Sequence, residues 1–61
     1  MNEIRIGDTV KVLDSTASSH NDGDIGQVVG INLFLDCVFY DVDVDGDVQG
    51  HYFTQLKKIN R

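Results

Sequence analysis

Cys37-Val38-Phe39-Tyr40-Asp41-Val42-Asp43-Val44-Asp45-Gly46-Asp47-Val48 is the stretch on which the fold turns. Val38, Tyr40, Val42 and Val44 take alternate positions, with Phe39, Asp41 and Asp43 between them. This period of two, carried by β-branched and aromatic residues, predicts a strand with one apolar and one acidic side. Asp45-Gly46 then reverses the chain, so a hairpin follows. A two-residue turn would set Val44 opposite Asp47 and Val42 opposite Gln49, mixing polar residues into the valine side. A three-residue loop, Val44-Asp45-Gly46 with Gly46 last, changes the parity and brings Val48 and Tyr52 to that side. The three-residue loop is the expectation.

Downstream, residues 48–53 read as the return strand and Thr54-Gln55-Leu56 as a short 3-10 turn. Residues 57–59 then form a last strand that can pair with the first and so remove exposed edges. Upstream, residues 32–36 read as a turn carrying Leu33, Phe34 and Leu35, preceded by a strand over residues 25–31. Strict alternation would face Gln27 inward; a bulge at Gly26 instead points Ile25 and Val28 into the core and is preferred. Residues 14–24 are small and polar, cannot bury enough area to order themselves, and read as a mobile loop. Ile4, Ile6, Val10 and Val12 share one side of a first strand that Gly7-Asp8 interrupts, leaving residues 9–13 as the strand proper. No segment keeps a helical i, i+3, i+4, i+7 apolar pattern, and Pro is absent.

Three segments resemble SH3-like barrels of the KOW type. Ile6-Gly7-Asp8-Thr9-Val10-Lys11-Val12 is similar to that family's opening strand, and Gly23-Asp24-Ile25-Gly26-Gln27-Val28-Val29-Gly30-Ile31 to its second. Tyr40-Asp41-Val42-Asp43-Val44-Asp45-Gly46, followed by Phe53-Thr54-Gln55-Leu56-Lys57-Lys58-Ile59, is similar to its ending. The resemblance implies an all-β fold: a small five-stranded SH3-like barrel with one short 3-10 turn before the last strand, occupying residues 1–61 as a single domain. It also implies RNA or ribosomal and transcription machinery as partners, reached through basic loops. The corresponding loops here are acidic. Small phage-encoded proteins also use this barrel. The peptide-binding SH3 activity needs an aromatic groove with a Trp, and this chain has none.

Composition narrows the function classes. Sixty-one residues make a core of roughly a dozen side chains, too few to wall off a deep catalytic pocket. The single cysteine, Cys37, excludes an internal disulfide and reads as a small residue starting a strand. No leader and no long apolar run is evident, so the cytoplasm is the expected compartment, without membrane association. The formal net charge is −5, and residues 12–56 contain no Lys or Arg. The five basic residues, Arg5, Lys11, Lys57, Lys58 and Arg61, sit at the two ends. Such a body repels phosphate backbones over most of its surface.

Asp41-x-Asp43-x-Asp45-Gly46 imitates the opening of a calcium loop, but its twelfth position holds Tyr52 where a bidentate carboxylate is required. It reads as a solvated acidic strand face. His20 and His51 lie in different elements without a third ligand at a recognisable spacing, and both read as surface histidines. No acid, base and nucleophile set stands on rigid elements, so no enzyme, metal or cofactor is expected. Leu33-Phe34-Leu35 is the most informative motif, because three consecutive apolar residues in a tight turn cannot all face the core. The expected function is a non-enzymatic protein–protein interaction module, monomeric or weakly homodimeric. Leu33, Phe34, Leu35 and Phe39, with the Asp41/Asp43/Asp45/Asp47 face, would engage a partner with a basic surface. One form is a phage or mobile-element protein competing with nucleic acid for a host protein. The alternative is a KOW-type nucleic-acid module using Arg5, Lys11, Lys57, Lys58 and Arg61.

Overall fold

Alternation at residues 37–44 builds an interior strand of the sheet. In the computed structural model, which describes residues 3–16 and 18–59, β3 (Cys37–Val44) pairs antiparallel with β2 (Ile25–Phe34) on one side and β4 (Asp47–Tyr52) on the other. β1 (Thr9–Val12) continues the sheet beyond β2, and β5 (Leu56–Lys58) pairs with β1. The strand order is β4-β3-β2-β1-β5. A 3-10 turn, Phe53–Gln55, links β4 to β5. The fold is all-β, and the last strand meets the first as expected. The sheet does not close into a barrel: β4 and β5 remain its two edges, because the 3-10 turn carries the chain between them without ladder pairing.

Ile4, Val10, Val12, Val28, Val42 and Leu56 are buried, with Tyr40 and Val44 packed against them. Burying each such side chain contributes about 1.5–3 kcal/mol. Both sheet faces follow from register: Val28, Val42, Tyr40 and Val44 point to the core, while Gln27, Asp43, Asp41 and Phe39 point outward.

The β3–β4 turn corrects the expected loop length. Val44 pairs with Asp47, leaving Asp45 and Gly46 as a two-residue turn with φ values of 52° and 89°. Two consecutive left-handed residues define the turn whose twist matches a hairpin, and Asp-Gly supplies it cheaply. Gln49 and His51 therefore lie opposite Val42 and Tyr40 on the core face, while Val48 and Tyr52 go to the outer face.

β2 also departs from expectation. It runs on to Phe34, so the turn shrinks to Leu35-Asp36, both left-handed at φ 50° and 65°. The bulge lies at Val29, where the ladder slips between Val28 and Gly30, and not at Gly26. Gly26 serves close approach instead: a Cβ there would lie 2.5 Å from the Asp43 carbonyl oxygen and 2.7 Å from Val44 Cγ2. Ile25, expected inward, pairs with Lys11 on the outer face and is exposed.

Residues 14–24, expected to be a mobile loop, are held over residues 14–16 and 18–24 by polar contacts in place of apolar burial. Ser15 donates from its backbone and its hydroxyl to Asp22 Oδ1 at 2.9 and 2.7 Å. The Gly23 amide donates to the Val12 carbonyl at 2.7 Å, and the Val12 amide to that of Asp24 at 2.7 Å.

Candidate functional site

The β2–β3 hairpin carries its apolar residues beyond the core. Leu33, Phe34 and Leu35 are 71%, 63% and 79% exposed. Alternation separates them: Leu33 pairs with Val38 on the core face, Phe34 pairs with Cys37 on the outer face, and Leu35 occupies the tip. Ile31 and Val38 are also exposed on the core face of the hairpin, because no element lies over it there. The left-handed backbone at Leu35 costs a branched side chain about 1–2 kcal/mol. Strain at a non-glycine residue, together with full exposure of an apolar side chain, marks a position shaped by something other than stability.

Phe39 faces outward but is half-buried, its ring tilted against Tyr52 with centroids 4.6 Å apart. Asp41 and Asp43 share that outer face. Asp41 accepts a 2.6 Å hydrogen bond from Asn32 Nδ2, and Asp43 accepts one of 2.7 Å from the Gly46 amide. Asp45 sits exposed in the turn. The four aspartates do not form one face. Asp47 begins β4 opposite Val44, on the core side of the sheet, where it accepts from Ser19 Oγ at 2.6 Å and Gln49 Nε2 at 2.9 Å. Those two bonds hold the Asp47 carboxyl below its ordinary range.

The basic residues are only partly brought together. Lys11 pairs with Lys57 across the β1–β5 ladder, both exposed on the outer face. Lys58 turns to the opposite side and binds Asp8 at 3.3 Å, while Arg5 pairs with Glu3 at 3.3 Å. A hydrogen bond from the Arg5 amide, then the Lys58 ammonium, holds the Asp8 carboxyl low. Arg61 lies outside the described residues.

Sequence reasoning missed the second constellation altogether. His20 and His51, expected at the surface, are 5% and 1% exposed. Their rings stack at a 21° interplanar angle with centroids 5.1 Å apart, and His20 Nδ1 lies 2.9 Å from His51 Nε2. His20 Nε2 lies 2.7 Å from the Asp47 carbonyl oxygen. A two-residue turn places His51 on the valine side of β4, so the signal was the turn type. The cause of its burial is that His20, from the preceding loop, satisfies its ring nitrogen. Burial, then the neighbouring His20, pushes the His51 imidazole below its ordinary value, while Gln55 and Asp14 oppose the shift. No group of three or more metal-ligating side chains occurs among the described residues. No helix among them is long and apolar enough to cross a membrane.

No family model matches the chain, and neither a curated protein nor a solved structure matches it.

Proposed function

We propose that this chain is a non-enzymatic protein–protein interaction module of the SH3-like, KOW-like type, acting in the cytoplasm. The observation that carries it is the uncovered hairpin tip of Leu33, Phe34 and Leu35, strained at Leu35. The partner offers a shallow apolar cleft rimmed by Lys or Arg. The three apolar side chains enter the cleft, and Asp36, Asp41, Asp43 and Asp45 steer the encounter. Such a basic rim is what nucleic-acid-binding proteins present, so competition with their natural ligand is the expected biological effect.

The test is capture of partners by immobilised protein from the source cell, followed by kinetics on the purified complex. Phe34→Ser weakens binding roughly tenfold or more, about 1.4 kcal/mol. Joint replacement of Asp41, Asp43 and Asp45 by Asn slows association and flattens its salt dependence. Unchanged kinetics in both variants would remove this surface from consideration.

The pairing of Lys11 with Lys57 on an exposed face favours one second reading, a weak nucleic-acid contact at the β1–β5 edge. Titration with RNA and duplex DNA at low salt separates the two. Micromolar affinity lost in a Lys11→Ala/Lys57→Ala variant supports the edge, and no binding at low salt excludes it.

A further inference from the structure

The buried histidine pair has no part in the hairpin surface, and its hydrogen-bond logic is restrictive. A carbonyl oxygen only accepts, so His20 Nε2, 2.7 Å from the Asp47 carbonyl, carries the hydrogen. In the neutral ring Nδ1 is then bare and must accept. Its partner at 2.9 Å is His51 Nε2, which therefore carries a hydrogen and donates. Both neutral rings are thus fixed as Nε2–H tautomers in one directed chain, from His51 to His20 to the backbone of β4. One proton can be added without breaking it, at His51 Nδ1. A second has only His20 Nδ1 left, where two N–H groups would face each other across 2.9 Å.

We propose that His20 and His51 form a proton-operated latch that docks residues 18–24 against β4 while the pair carries at most one proton and releases them when it takes a second.

The surroundings favour this outcome. Ser19, next to His20, donates to Asp47 Oδ2, so the two neighbouring residues grip the same residue of β4 and leave together. The groups facing the pair come from every packed element. Asp47 Oδ2 on β4 is 3.9 Å from His20 Nε2, and Asp14 from the loop bears on His51. Tyr40 is the cross-strand neighbour of His51 on β3, and Gln55 approaches His51 from the 3-10 turn. Asp14 opposes part of the downward shift of His51, but neither carboxylate relieves the clash between facing donors. No Lys or Arg is among the groups that bear on His51.

The direction with pH follows from linkage. Free histidines take up protons around pH 6.5; burial and the neighbouring His20 shift His51 downward, and a second proton on the docked pair would set two N–H groups facing across 2.9 Å. The open state therefore binds more protons below about pH 6.5, and docking weakens as pH falls from there. Each proton of difference changes the opening equilibrium about tenfold per pH unit.

The experiment is an NMR titration of the labelled full chain from pH 8 to 4.5. Ring nitrogen shifts are followed together with exchange protection of the Ser18, Gly23 and Asp24 amides, which bond within or at the root of the segment. At pH 8 both rings should show the Nε2–H pattern. Toward pH 5, protection at those amides should fall at least tenfold, while the Phe39 and Asp43 amides, which face β2 across the β2–β3 ladder, change less than twofold. In His20→Gln, protection of the segment should no longer depend on pH over this range. Two histidines titrating independently near pH 6.5, or a doubly protonated pair with the segment still protected, would overturn the proposal. So would a His20→Gln segment that still opens with acid. If that variant does not fold, the wild-type titration decides alone.

Discussion

Leu35 is the residue at which stability and interaction are opposed. A left-handed first turn position suits Asn or Gly, and Leu there is strained at φ 50° with nothing covering its side chain. Leu35→Asn is therefore expected to stabilise the isolated chain by about 0.5–1 kcal/mol, read as a higher urea midpoint at unchanged slope. The same substitution should weaken partner binding. A variant that loses stability would show that the Leu35 side chain packs in the free protein, contrary to its exposure. His51 makes the complementary case, a polar residue kept inside because one ring nitrogen has found a partner.

At the level of elements, β2 shows how differently two glycines in one strand behave. A Cβ on Gly26 would collide with the Asp43 backbone oxygen at 2.5 Å and with Val44 and Val42. One on Gly30 would meet the Asp41 Oδ2 oxygen at 2.8 Å, the far end of a side chain that can swing away at the loss of one solvent-exposed hydrogen bond from Asn32. Gly26→Ala is expected to cost ~1–3 kcal/mol and Gly30→Ala well under 1 kcal/mol, compared by chemical denaturation. Equal costs would mean that β2 does not approach β3 as closely as described. The strands were legible because alternation is local: β3 occupies Cys37–Val44 as its valines require, and the last strand meets the first. What was hidden depended on single-residue parity. The two-residue turn at Asp45-Gly46 exchanged Val48 and Tyr52 for Gln49 and His51 on the core face, and with them went the histidine pair. The slip at Val29 likewise moved Ile25 outward. The hairpin residues were found because three adjacent apolar side chains cannot share one side of a strand, whatever the register. Their acidic neighbours were legible only in part, since Asp47 follows the turn and changes face with it.

For the molecule as a whole, charge imposes two separate responses to acid. Asp8, Asp14 and Asp47 sit below their ordinary carboxyl value of 3.8, held by hydrogen bonds from the Arg5 amide, from Thr16 and from Ser19 respectively. A depressed folded value means their stabilisation is present above about pH 3.8 and is lost as pH falls through the lower folded titration. Global unfolding should therefore set in below pH 4, well under the window in which the histidines respond. Melting temperature recorded from pH 7 to 2.5 checks this, and a single sigmoidal loss centred near pH 6 would contradict it. Moderate salt should raise the melting temperature at pH 7, because a net charge of −5 repels itself in the compact state.

The β1–β5 ladder gathers Lys11, Lys57 and Lys58 on paired strands, while residues 12–56 carry no basic side chain. Besides Arg5, which precedes β1, and Arg61, which lies outside the described residues, the sites at which trypsin can cut this chain, after Lys11, Lys57 and Lys58, all lie where its two ends are zipped together. Digestion becomes a clock for the unzipping of that one seam. A fragment carrying β2, β3 and β4 survives each cut, and its rate of appearance measures how often the ends part.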